Sequence, residues 1–129
     1  MISWQTLLAV GCGGFIGAVS RVYLNGLISH RVPHDLPFGT LGVNLIGSFV
    51  MGVLVAYFMY TSLFSVHVKS FLSTGILGAL TTYSTFAIES VLLIQGGHIG
   101  LALANMGLNT FGTVLIAGGG YWIASSALR

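Results

Sequence analysis

Three polar features interrupt otherwise apolar sequence, and each carries side chains able to bind an ion. The first is the stretch Gly75-Ile76-Leu77-Gly78-Ala79-Leu80-Thr81-Thr82-Tyr83-Ser84-Thr85-Phe86, in which a run of hydroxyl residues follows two glycines. In hydrocarbon a hydroxyl is costly unless it is paired or lines a path. These hydroxyls either bond back to their own helix or serve an ion. The glycines permit a break in the helix, and carbonyls freed by a break need a cation, water or protein donors. The second feature is Gly39-Thr40-Leu41-Gly42-Val43-Asn44, which sets an amide in an apolar stretch. A buried Asn must hydrogen-bond; it either clamps a neighbouring helix or presents its NH₂ donors to an anion, and residue type leaves both open. The third is Glu89, one turn beyond Phe86 and the one carboxylate within an apolar stretch. Intramembrane acids usually serve as ion or proton ligands or pair with a base, and Arg21 is the natural partner in charge.

The elements that must position these groups follow from composition. Hydrophobic residues make up 55% of the 129 and charged residues 5%, whereas an average soluble domain is roughly a quarter charged. That balance excludes a soluble fold and, equally, a disordered chain. A membrane-spanning helix needs about 20 mainly apolar residues, and stretches at approximately 4–28, 38–61, 68–95 and 98–126 meet this requirement. The chain is therefore expected to be an all-α integral membrane protein, a single transmembrane domain over 1–129 with four spans. Its 19 glycines lie through the apolar stretches, as they do in closely packed membrane helices. Gly13 and Gly17 have the small-xxx-small spacing of such a contact. The segment before the first span lacks the positive charge of a secretory signal, so that span is expected to be retained.

The breaks read as loops at the water interface. Ser29 to Pro37 holds His30, Arg31, His34 and Asp35 with two prolines, Ser62 to Lys69 is shorter, and Gln95-Gly96-Gly97-His98 forces an antiparallel hairpin. Trp4, Tyr57, Tyr60, Tyr121 and Trp122 fall near span ends as interfacial anchors. With loops this short, any activity lies within or across the membrane. The four histidines sit at span ends without metal-ligand spacing. Cys12 is the single cysteine, so no intrachain disulfide forms and it packs as a small apolar residue. No nucleotide-binding loop or nucleophile–base motif indicates an enzyme, and a net charge of +2 without a basic patch indicates no nucleic-acid partner.

Four helices are too few to enclose a sizeable aqueous path, which points to a symmetric homo-oligomer, here a dimer. The positive-inside count sets Lys69 and Arg129 on one side against Arg31, with Arg21 near that end of the first span. Such near-balance lets either orientation insert and so favours an antiparallel pair.

Together these segments resemble the Fluc (CrcB) family of bacterial fluoride channels over nearly the whole chain. The likeness is carried by Gly13-Gly14-Phe15-Ile16-Gly17-Ala18 with Arg21, by Gly39 to Asn44, and above all by Gly78 to Phe86. It implies an antiparallel, dual-topology homodimer in the bacterial inner (cell) membrane, with two fluoride pores and a sodium ion at the dimer centre. By the same resemblance, Gly78 and Thr81 mark the helix break whose carbonyls hold sodium. Asn44 is the pore donor, Tyr83 and Phe86 are the two aromatic positions, and Ser84 and Thr85 are the polar track beside them. Glu89, which matches a carboxylate further along that helix, and Arg21 are counted with Asn105 and Asn109 among the residues expected along the fluoride pore. Two departures stand out: Tyr83 occupies a position usually held by Phe, and Asn105 and Asn109 replace a Tyr and, one turn later, a Ser.

The implied chemistry is physically coherent. Fluoride is small and strongly hydrated, so a pore must replace water with donors already aimed at it. Amide and hydroxyl groups do this, and an aromatic ring offers a positive edge. The rivals are a small multidrug-resistance-type proton-coupled exporter and a non-transporting packing subunit. The exporter class needs an acid in the first span, which has none.

Overall fold

The computed structural model describes residues 1–129, all helix and loop. Helix α1 runs Trp4–Arg31 and α2 runs Phe38–Tyr60. The third span, Val66–Gln95, opens with α3 (Val66–Ser70) and winds through a π-helical stretch (Phe71–Leu77) into the single turn α4 (Gly78–Leu80). It then resumes as α5 (Tyr83–Gln95). The fourth, Ile99–Leu128, comprises α6 (Ile99–Gly107), a π-helical turn (Leu108–Gly112) and α7 (Thr113–Leu128). Each of the four spans is long and apolar enough to cross a membrane.

Side-chain caps fix where the helices begin. Ser3 accepts from the Thr6 N–H ahead of α1, and Ser65 from the Val68 N–H ahead of α3. Helix α1 continues past residue 28, so His30 and Arg31 occupy its last turn instead of the loop. There the Arg31 guanidinium lies at the carbonyl end of the helix, where the dipole favours a cation. The hairpin between α5 and α6 turns on Gly97, whose φ of 81° suits glycine.

Only 24 of 129 residues are buried, and large apolar side chains such as Leu7, Phe15, Leu103 and Leu115 point outward. This inverts a soluble core and suits helices whose solvent is lipid. What holds the spans together is close backbone approach. A Cβ on Gly13 or Gly17 would strike the backbone of the π-helical stretch at Phe71 or Ile76, and one on Gly52 would strike the Ala117 carbonyl. At one end of the bundle Lys69 Nζ donates to the Phe58 carbonyl (3.4 Å) and Arg129 Nη2 to the Tyr60 hydroxyl (2.8 Å). Both basic groups thus lie with the C-terminus of α2, and Arg31 lies at the opposite end with its N-terminus.

Candidate functional site

The backbone of the third span leaves helical dihedrals at Thr81 (φ −79°, ψ 152°) and Thr82 (φ −146°, ψ 116°). Neighbouring groups explain why this is tolerated in a buried place. The Thr82 N–H, which in a continuous helix would bond the Gly78 carbonyl, donates to Asn44 Oδ1 at 2.7 Å. Asn44 Nδ2 returns a bond to the Thr82 carbonyl at 3.0 Å. The Thr82 hydroxyl caps α5 by accepting from the Thr85 N–H at 3.3 Å, so that N–H does not serve the Thr81 carbonyl. Gly47 makes room, since a Cβ there would overlap the Thr81 methyl.

Beside this segment lies a cavity of about 180 Å³, open on one side. Asn44, Thr82 and Asn109 form its rear wall, with Ser48, Thr81 and Thr113 contributing hydroxyls; no charged residue lines it. Tyr83 and Phe86 stand at its edge with ring centroids 4.8 Å apart and planes at 88°. Phe86 is 6% exposed and Tyr83 is 79% exposed. The first turn of α5 begins at the cavity, and the unpaired N–H groups of a helix start carry partial positive charge. The Thr81 hydroxyl bonds back to the Leu77 carbonyl (3.0 Å) and that of Thr113 to the Asn109 carbonyl (2.6 Å), while Ser48 and Tyr83 keep their hydroxyls without a partner in the chain.

Of the residues singled out in sequence, the structure brings Asn44, Thr81, Tyr83, Phe86 and Asn109 to one cavity. Both Asn44 amide hydrogens have protein acceptors, Thr82 O and Asn109 Oδ1 (2.8 Å), so Asn44 acts here as a clamp. Asn105 is fully buried behind the wall and donates to Ser90 Oγ (2.9 Å) and the Phe86 carbonyl (3.4 Å). Ser84 and Gly78 face outward, and the Thr85 hydroxyl accepts from that of Thr82 (2.8 Å).

Glu89 requires a correction. Its Oε1 accepts from the Thr40 hydroxyl (2.6 Å), its Oε2 has no partner, and Arg21 makes no bond to it. The first helix reaches this carboxylate through Asn25, one turn past Arg21, whose Nδ2 donates to Thr40 Oγ1 (3.2 Å). Glu89 lines a separate cavity of about 280 Å³ with Asp35 and His98.

Sequence reasoning passed over Ser48 and Thr113, although each stands four residues after an Asn of the wall. That i, i+4 spacing puts them on the same helix face. It also passed over Ser90, Thr40 and Asn25, whose roles depend on contacts between spans.

Comparison with known proteins gives concordant results. The family described as CrcB-like protein, Camphor Resistance (CrcB), matches residues 8–121. A "Fluoride-specific ion channel FluC" of Sulfurimonas denitrificans is 71% identical over 128 residues, covering 99% of each chain. One from Nautilia profundicola is 45% identical, covering 93% of this chain and 94% of its own. Another, from Campylobacter lari, is 48% identical, covering 81% of this chain and 84% of its own.

Proposed function

The chain belongs to the CrcB family, and from that premise we propose that it is a fluoride-selective passive channel of the bacterial inner membrane, exporting cytoplasmic fluoride as an antiparallel homodimer. As a family member with four helices able to cross a bilayer it is a multi-pass membrane protein. The observation that carries the mechanism is the uncharged polar cavity with a perpendicular aromatic pair at its edge. An ion entering it exchanges water for the hydroxyl of Ser48, the partial positive charge at the start of α5 and the positive edges of the rings. No fixed cation holds the anion there, so it can leave. Asn44 and Asn109 shape the wall; direct donation from Asn44 to the ion requires it to exchange one of its protein bonds.

The same cavity supports the dimer reading. Open on one side in a span that crosses hydrocarbon, its polar wall would face lipid. A second copy closes it, and an antiparallel copy suits the near-even distribution of Lys and Arg.

A structural sodium ion fits the residues present. Beside the extended Thr81–Thr82 segment the Gly78 and Thr81 carbonyls lose their usual helical partners, because the Thr82 N–H goes to Asn44 and the Thr85 N–H to the Thr82 hydroxyl. Gly78 faces outward from the protomer. Oxygen ligands of this kind suit a hard cation, and the ion would supply charge to pin the break. The exporter reading is not favoured, since Glu89, the single acid within the spans, lies away from the polar cavity.

The test is electrical. Purified protein in liposomes should pass fluoride with a reversal potential set by the fluoride gradient alone. A fixed fluoride-to-proton stoichiometry would replace the channel with a coupled exporter.

A further inference from the structure

Behind the cavity runs a chain of hydrogen bonds that starts and ends on the third span. Thr82 N–H donates to Asn44 Oδ1 (2.7 Å), Asn44 Nδ2 to Asn109 Oδ1 (2.8 Å), and Asn109 Nδ2 to Asn105 Oδ1 (3.0 Å). Asn105 Nδ2 then donates to Ser90 Oγ (2.9 Å) and to the Phe86 carbonyl (3.4 Å), and Ser90 Oγ donates to that same carbonyl (2.8 Å). Thr82, the N-cap of α5, and Phe86 in its first turn are four residues apart, so both ends of the chain lie on one short segment. From Thr82 to Asn105 these bonds run in one donating sense, so successive bonds polarise one another, while Asn44 Nδ2 also donates back to the Thr82 carbonyl (3.0 Å). The π-helical turn Leu108–Gly112 carries Asn109, and such turns change which way a side chain faces.

Asn105 is 0% exposed and does not line the cavity, so it touches no ion there. A side chain that merely clamped two helices would need one partner on α5. Asn105 instead directs its amide to the carbonyl of Phe86, the residue whose ring pairs with Tyr83, and to the hydroxyl that supports that carbonyl. We infer that Asn105 is a positioning residue for ion transit, acting through the Phe86 carbonyl and Ser90 to hold the Phe86 ring edge toward the path. This inference rests on the fluoride-channel reading. It assigns Asn105 a role behind the pore wall, apart from contact with the ion.

The experiment reads the current through one channel separately from the number of working channels. Asn105→Leu keeps roughly the volume and removes the donors; Asn105→Ala removes them with a small residue that membrane helices accept readily. Each variant is compared with wild type for unitary fluoride current in planar bilayers and for the fraction of liposomes emptied. The inference predicts a unitary current at least tenfold lower in whichever variants assemble, with the emptied fraction unchanged. A unitary current at the wild-type value overturns it, including when the emptied fraction falls, because that pattern belongs to a residue that only supports folding. A wild-type protein that passes no fluoride overturns the channel reading itself, and that result is visible before any variant is compared.

Discussion

Asn44 brackets the Thr82 peptide from both sides, its Oδ1 accepting from the Thr82 N–H at 2.7 Å and its Nδ2 donating to the Thr82 carbonyl at 3.0 Å. One side chain of α2 thereby replaces hydrogen bonds that the extended backbone gives up, and does so at a buried peptide. The bracket links the helix start, the cavity wall and the carbonyls freed at Gly78 and Thr81.

Asn44→Asp should therefore be damaging despite its near-identical shape. The carboxylate keeps an acceptor for the Thr82 N–H but loses both donations, leaving the Thr82 carbonyl and Asn109 Oδ1 facing negative charge. Each buried polar group left unpaired costs about 1–3 kcal/mol. The variant should lose its folded elution peak at a lower temperature than wild type and conduct little fluoride. Unchanged thermal stability together with unchanged flux would show that the bracket is dispensable.

Close packing of α1 makes a second prediction. Gly17→Ala places a methyl against the Ile76 carbonyl, whereas Gly26→Ala places one where nothing lies within 4 Å. Overpacking against backbone costs about 1–3 kcal/mol, while Gly→Ala in an open helical position gains up to about 1 kcal/mol. Gly17→Ala should reduce the recovery of folded protein and Gly26→Ala should not. Equal recovery of the two would mean that α1 does not depend on this approach.

Much of this arrangement was legible in residue type. Long apolar runs announced the spans, and the isolated polarity of Asn44 and of the Thr81–Thr85 stretch marked the region where the structure has its uncharged polar cavity. The part that stayed hidden is pairing across spans. Charge suggested Arg21 for Glu89, but the contact runs from Asn25 through Thr40, because helix rotation decides which side chain reaches across. Thr81 and Thr82 look alike in sequence and both leave the helix, yet the Thr81 hydroxyl bonds back to Leu77 while the Thr82 N–H meets Asn44. The buried partnership of Asn105 with Phe86 joins residues of different helices, and no local pattern encodes it.

Sodium removal gives a third prediction. If the freed carbonyls of Gly78 and Thr81 hold a structural ion, long dialysis into a buffer with a large inert cation should slowly depress fluoride flux, and sodium should restore it. Flux that persists undiminished after exhaustive exchange would remove sodium from the account.

Orientation gives a fourth. Lys69 and Arg129 at one end of the bundle oppose Arg31 at the other, so reporters fused to the C-terminus should signal from both sides of the membrane. Adding two lysines to the loop at residues 62–65 should drive one orientation and lower activity by starving the antiparallel dimer. A uniform orientation in the native protein would contradict the balance argument.

The central claim is that fluoride passes the perpendicular pair formed by Tyr83 and Phe86, and Phe86→Ile tests it most directly. Isoleucine retains a sizeable apolar side chain at a site that is 6% exposed, so packing should suffer by only about 1 kcal/mol. What disappears is the positive ring edge that offsets dehydration, and each ~1.4 kcal/mol added to the barrier slows transit about tenfold. Tyr83→Phe keeps the ring and should keep the flux. With fluoride release from liposomes followed by an ion-selective electrode, Phe86→Ile should elute as an intact dimer yet release fluoride at least tenfold more slowly than wild type. An intact Phe86→Ile dimer that releases fluoride at the wild-type rate would show that this aromatic is packing alone and that the path lies elsewhere.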